Sequence, residues 1–537
     1  MAAAPALRTP WAAAPSFRLL HLAARSLSWA PLGAILAGAL FLRLYRLDGF
    51  VTFYPDTYGQ LRGAENLLSA QFPISFFYPP GIALALAPVF AFLPQTLLTM
   101  QAAIVTAGMA LIVLAYVICC VTTGDRRAGL FYAAAVALSV TFVFHSRVAL
   151  FDVINTLLIA LTLFLAPFVA RRGPVVLLPY GLLVFAAVTV RYTNLILLPA
   201  LFLASLELGS RSFSWRLVWD GLRSRATITV GLVVLALFGV YVATAFDSLV
   251  RFVNPQGDSV LDLGQYLPRL GQYLEAELLG YGREFRWQDG IAALGVLVLA
   301  VIGARRLWQT DRGLLVSVLY LIVAWLLVHG LYFAFWGRYV MPAFFFVLLL
   351  AALGLSTSLE WLRGRPRLWQ RAGAAGLLTL AIASFAGLQL RQDVSAIQQN
   401  RGTPASKSEA AYEEIRAVLR TLNGASSVLL SSQALAVDTA NPALTTYDVV
   451  RHSERYGINS NAIDELLAYV RAQQADGKTV YYHYTPYEDT GSRLHRYELG
   501  LDAYFSALQR EFSFEELVRA SERPHRLYVL EPPAQSE

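Results

Sequence analysis

Along the first 390 residues, long apolar runs alternate with short polar connections. Crossing a bilayer as a helix takes roughly 20 apolar residues. Runs that reach or approach this length are centred on residues 29–45, 97–120, 128–145, 150–170, 174–190, 193–208, 227–246, 290–304, 313–334, 340–359 and 372–390. The pattern predicts a polytopic α-helical membrane protein of about eleven spans. The stretch Pro80 to Pro94 is apolar but short and bounded by prolines. Counted as a span it would reverse the side of every later loop, so it is predicted to be a re-entrant or interfacial lead-in to the second span. After Leu390 the pattern changes to short apolar runs, Ser427–Ser431, Thr479–Tyr484 and Leu527–Leu530, between helix-like segments at Glu409–Leu422, Asn461–Gln474 and Gly500–Phe512. That alternation predicts a small soluble α/β domain over residues 391–537.

Basic residues then orient the body. Arg126 and Arg127, Arg171 and Arg172, Arg211 to Arg225, Arg305 to Arg312, and Arg363 to Arg371 fall in alternate loops that are short and poor in acids, the signature of a cytoplasmic side. Residues 1–28 carry Arg8, Arg18 and Arg25 and no acid, and read as a basic cytoplasmic leader rather than a cleaved signal. An odd number of spans then puts the C-terminal α/β domain outside. A 56% apolar and 15% charged composition with mean hydropathy +0.51 agrees with a lipid-embedded body over residues 29–390. The net charge of +7 is accounted for by the topology-setting arginines, so membrane lipids are expected as partners and nucleic acid is not. Cys119 and Cys120 are neighbours on one helix and are expected to pack, not to form a disulfide framework.

Polar residues gather at the other ends of the spans. The first outer loop, 46–80, holds Asp56, Tyr58, Arg62 and Tyr78. Leu61, Ala64, Leu67 and Leu68 recur there at helical spacing, predicting a short amphipathic helix lying on the membrane surface just after Asp56. A carboxylate held at that boundary suits a base acting on a lipid-anchored substrate. Further outer junctions supply His145, Arg147, Asp152 and Asn155, then Arg191 and Tyr192, then His329, Arg338 and Tyr339. An acid at the head of an apolar helix, as Asp152 is, needs a partner or a function. Structural readings also fit: Arg191–Tyr192 and Arg338–Tyr339 as interfacial anchors, Asp152 neutralised by Arg147, His145 and His329 as packing residues. Aromatics of the 247–288 insertion (Tyr266, Tyr273, Tyr281 and Trp287) suit either sugar stacking or anchoring.

In order and sidedness these motifs resemble the C-type superfamily of polyprenyl-phosphate-sugar-dependent glycosyltransferases, which includes protein O-mannosyltransferases and lipid A aminoarabinose transferases. The residues that carry the resemblance are Asp56 with Tyr58 and Ala64, Tyr78-Pro79-Pro80-Gly81, Ser146-Arg147 with Asp152, Arg191-Tyr192-Thr193, and Gly337-Arg338-Tyr339 with Pro342. The resemblance implies an inverting transfer of a sugar from a polyprenyl-phosphate donor to an acceptor hydroxyl of a protein, lipid or glycan. Asp56 would be general base and Asp152 a second acidic catalytic group, with Arg338 and Arg191 at the donor phosphate. Tyr58, Arg62, Tyr78, Arg147, Tyr192, His329 and Tyr339 would line the substrates. Many relatives have a second acid directly after the loop aspartate; here Thr57 stands there, so no metal ligands are assigned, and a divalent cation is the one cofactor left open. A bacterial plasma membrane with an external active site is the implied location. The rival class is a transporter or lipid flippase, which would place its polar residues near the midplane of repeated halves. No repeat is visible here, and the charges sit at one face.

Overall fold

In lipid every backbone polar group must be satisfied within the protein, and a long uninterrupted apolar run does so as a helix. The computed structural model describes residues 29–45, 55–70, 80–170, 174–206, 215–244, 287–330, 337–363, 413–431, 443–449, 460–484, 495–520 and 525–532, with isolated positions between. The basic leader, Tyr78, the insertion up to residue 286 and most of the 372–390 run lie outside the described residues. The body comprises α1 (Trp29–Leu44), α2 (Pro55–Leu68), α3 (Pro80–Phe90), α4 (Leu97–Thr123), α5 (Arg126–Leu138), α6 (Val140–His145), α7 (Asp152–Val169), α8 (Pro174–Val190), α9 (Leu197–Ser205), α10 (Trp215–Leu222), α11 (Arg225–Thr244), α12 (Trp287–Thr310), α13 (Arg312–Gly330) and α14 (Met341–Arg363). Among the described residues six helices are long and apolar enough to cross a membrane, and four apolar helices are shorter.

Two of the predicted spans are divided. The 128–145 run breaks at Ser139, whose extended ψ of 124° separates α5 from α6. The backbone N–H of Val140 donates instead to Gln389 Oε1 at 2.8 Å, so a side chain from a distant helix replaces the missing helical bond. The 193–208 run is a 3₁₀ turn (Tyr192–Ile196) followed by the nine-residue α9. At 11 residues, α3 is about 16 Å long and stops well short of a crossing, as its flanking prolines predict.

Helix ends sort into two layers. At one, Asp125 caps α5 through bonds from Arg127 and Ala128 N–H and accepts a bond from Ser356 of α14, while Arg306 of α12 lies 3.9 Å from Glu360 of α14. At the other, Arg147 donates to the carbonyls of Leu42 in the last turn of α1 and of Tyr45 just after it, Gln101 of α4 donates to the Arg147 carbonyl, and Trp325 of α13 donates to the Tyr339 carbonyl. Among the described residues, Arg126, Arg127 and Arg306 fall in the first layer and Arg147 and Tyr339 in the second. The centre of the body is α14, where Phe344 stacks on Phe142, Phe345 meets Phe142 edge to face, and Tyr132 donates to the Phe345 carbonyl at 2.9 Å. It crosses α12 backbone to backbone, because a Cβ on Gly303 would overlap the Leu350 carbonyl and one on Gly354 the Leu299 carbonyl.

The C-terminal sheet has strands β1 (Ser427–Ser431), β2 (Thr445–Asp448), β3 (Thr479–Tyr484), β4 (Ser513–Arg519) and β5 (Arg526–Glu531). Their order is β2-β1-β3-β5-β4, with β1 parallel to both neighbours and β5 antiparallel to β3 and β4. Helices α15 (Ser460–Ala475) and α16 (His495–Glu511) complete the α/β pattern. At the ends of β1 and β3, buried Ser431 Oγ lies 2.9 Å from His483 Nδ1, and His483 Nε2 lies 3.3 Å from His525 Nδ1.

Two outcomes are expected. Gly354→Val should cost more than the roughly 1–3 kcal/mol of ordinary overpacking, because backbone cannot move aside, whereas Gly231→Val, which meets nothing within 4 Å, should be tolerated; the yield of monodisperse protein in detergent measures both. Burial pushes the His483 imidazole down to about 3 from 6.5, so its contribution to stability is complete above pH 6.5 and is lost as pH falls towards 3. Pulse proteolysis of the full chain should therefore show strand cleavage rising as pH drops below 6.5, less steeply in His483→Gln.

Candidate active site

Asp152 is the first residue of α7, a position where a carboxylate meets the unsatisfied N–H groups of the helix start. It is 1% exposed, and water contributes almost nothing to its solvation. Its Oδ1 accepts a bond from Arg191 Nη2 at 2.5 Å, and its Oδ2 lies 4.0 Å from Arg338 Nε. Arg191 follows the last turn of α8 with extended backbone (φ −147°, ψ 142°), which throws its side chain back across the helix ends. Its guanidinium lies between the rings of Phe151, 4.4 Å away, and Tyr339, 4.2 Å away. Such a flat cation held between two aromatic faces is fixed in orientation as well as position. Arg338 sits in the 3₁₀ turn Gly337–Val340 that leads into α14, its guanidinium 5.6 Å from the Tyr339 ring.

Two guanidinium charges face one carboxylate, so these three side chains carry a net charge of +1. Arg191 Nη1 and Asp152 Oδ2 are buried and make no hydrogen bond, so the cluster has unused capacity on both its donor and acceptor sides. A buried site with surplus positive charge and spare guanidinium donors suits an anion, and a phosphate above all. Asn155, one turn into α7, accepts a bond from Asn194 at 2.6 Å, which joins the 3₁₀ turn after Arg191 to α7.

The structure brings Asp152, Arg191, Arg338 and Tyr339 together. His329 supports them from behind: its Nδ1 is 2.9 Å from the Trp325 carbonyl, and its ring packs on Trp325 and Tyr339. Tyr192 is adjacent but turns outward to Tyr241 of α11, the two hydroxyls 2.7 Å apart. Arg147 lies elsewhere. Local neutralisation of Asp152 by Arg147 is corrected: Arg147 is 1% exposed and its guanidinium binds the Leu42 and Tyr45 carbonyls, because the chain turns at Ser146–Phe151 and points the two side chains apart.

Asp56 lies in the first turn of α2, which starts at Pro55, the position where proline's missing N–H costs nothing. The side chains of Asp56, Tyr58 and Arg62 lie outside what is described, as does Tyr78. The apolar set predicted for this helix packs on the protein: Ala64 is fully buried, Leu61 and Leu67 pack into the core, and α2 lies along α3, with Leu68 of that set exposed. The short α3 leaves apolar surface that α2 covers. Gly81 explains part of the proline-rich motif, since a Cβ there would overlap the Ala186 carbonyl and reach within 2.5 Å of Val190 N. Its lack of a side chain lets the start of α3 touch the end of α8, beside Arg191. Phe151 was missed as an aromatic platform, although its adjacency to Asp152 was a usable signal. Among the described residues no three His, Cys, Asp or Glu side chains converge as a metal cluster.

The fold and the cluster together describe a polytopic helical body with a buried, arginine-rich site at one layer of helix ends. No family model and no curated sequence matches the chain. Among solved structures, ArnT from Cupriavidus metallidurans in the apo state aligns over 93% of this chain and 97% of its own, with TM-score 0.59 and 13% identity. The same protein bound to undecaprenyl phosphate aligns over 94% and 98%, with TM-score 0.55 and 13% identity. At that identity the likeness is one of fold.

Removing the carboxylate strands two buried cations. Asp152→Ala should cost about 3–5 kcal/mol of stability, measured by unfolding in detergent, with Asp152→Glu recovering part of it.

Proposed function

We propose that this chain is a membrane glycosyltransferase that moves a sugar from a polyprenyl-phosphate donor to an acceptor hydroxyl of a protein, lipid or glycan. The observation that carries the reading is the buried Asp152–Arg191–Arg338 cluster at one layer of helix ends. It is supported by a fold shared with a protein whose structure holds undecaprenyl phosphate. In this reading the body has about eleven spans, and the site layer and the 391–537 domain face outward from a bacterial plasma membrane. The basic layer faces the cytoplasm, in keeping with the positive-inside rule.

The acceptor oxygen attacks the anomeric carbon as the bond to the phosphate oxygen breaks. The polyprenyl phosphate leaves with the bonding electrons, and the sugar's configuration inverts. An acceptor hydroxyl is a weak nucleophile, so Asp56 takes its proton as the bond forms. Negative charge developing on the departing phosphate is met by Arg338 and by the spare Nη1 of Arg191. Asp152 keeps the two cations in place, a positioning role. Tyr58, Arg62, Tyr78 and Tyr339 line the substrates around that path, and Arg147, Tyr192 and His329 brace the helix ends that carry it. Tight enclosure between helices excludes water, which would otherwise take the place of the acceptor.

Asp56→Asn should lower transfer at least about a hundredfold, the lower bound for a general base, at unchanged expression. Mass spectrometry of cells carrying the variant should show one polyprenyl-phosphate sugar accumulating and one glycan product lost. Normal product at normal protein level would contradict the assignment.

A further inference from the structure

Resting on the glycosyltransferase reading, we infer that Gln60 is a sugar-recognition residue, its side-chain amide held to exchange hydrogen bonds with hydroxyls of the transferred ring. Gln60 lies on α2, is 4% exposed, and buries both its Oε1 and its Nε2 without a hydrogen-bond partner. An unsatisfied buried amide is costly at both ends, and native proteins retain few of them without a reason. Residues four apart share a helix face, so 56, 60 and 64 form one column on α2, which is the inward one at Gln60 and Ala64, the latter fully buried. The amide therefore sits one turn from Asp56 on the same column.

The two unpaired ends of the Gln60 amide point to the ligand class. An amide oxygen needs a donor and an amide nitrogen needs acceptors. Phosphate oxygens only accept and would leave Oε1 unpaired. A sugar hydroxyl both donates and accepts, so a polyhydroxylated ring satisfies both ends at once. Arg191 and Arg338 provide for the phosphate and Gln60 for the ring. Sites built to hydrogen-bond a hydroxyl discriminate strongly against ligands that lack it, because the buried polar group is then left unpaired.

The test compares the full chain with Gln60→Leu and Gln60→Glu in detergent. Affinity is measured for undecaprenyl phosphate alone and for undecaprenyl phosphate carrying mannose, glucose, N-acetylglucosamine, arabinose or 4-amino-arabinose. The unsubstituted chain should bind one glycosylated lipid in preference to the bare lipid, and Gln60→Leu should lose that preference about tenfold with bare-lipid affinity unchanged. Removing an unpaired buried amide should also raise the melting temperature of the ligand-free Gln60→Leu protein. Gln60→Glu, which keeps an acceptor pair but loses the donors, should shift the preference without abolishing binding. If Gln60→Leu keeps the sugar preference, or melts lower with the preference intact, Gln60 is structural and the inference is overturned while the glycosyltransferase reading stands. If the unsubstituted chain binds every glycosylated lipid no better than the bare one, both fall.

Discussion

The structure at its functional end depends on one buried carboxylate that must be matched. Asp152 is 1% exposed, and a buried ion without partners costs several kcal/mol. The helix start beneath it gives partial relief, and Arg191 and Arg338 supply the rest. Because these come from the end of α8 and the entry to α14, satisfying one charge fixes three helix ends relative to one another. The rings of Phe151 and Tyr339 then flank the Arg191 guanidinium at 4.4 and 4.2 Å and limit how it can move.

Around this constraint the body uses two kinds of packing. Deep in the bundle, Gly303 and Gly354 bring α12 and α14 into backbone contact, and Gly81 does the same for α3 and α8 at the site layer. Near the site the helices are short or interrupted. The 11-residue α3 is too short to cross, and the break at Ser139 and the turn before α9 interrupt what would otherwise be continuous crossings. Each interruption frees backbone polar groups that only protein can satisfy at that depth, as Gln389 does for Val140. Irregular backbone of this kind belongs where a membrane protein lines a cavity.

Much of this was legible in the pattern of residues. Apolar runs located the helices, and the runs at 427–431, 479–484 and 527–530 found three of the five strands of the described sheet. β2 has four residues and β4, SFEELVR, is an exposed edge strand with few apolar positions, so neither carries a strong signal. Pairing was harder to read. Asp152 finds its partner 39 residues away in Arg191, not five residues back in Arg147, and only the turn between α6 and α7 decides that. Gln60 was invisible because a glutamine on an amphipathic helix reads as solvated until its burial is known. The helix carrying Asp56 was recognised from spacing, while its packing on α3 needed three dimensions.

A double-mutant cycle of Asp152→Asn and Arg191→Gln, read by the unfolding free energy in detergent, is the most direct test of the idea that one matched charge organises the site. The account predicts a coupling of at least about 2 kcal/mol, the double variant costing much less than the two single losses together. Losses that add to within about 0.5 kcal/mol would contradict it.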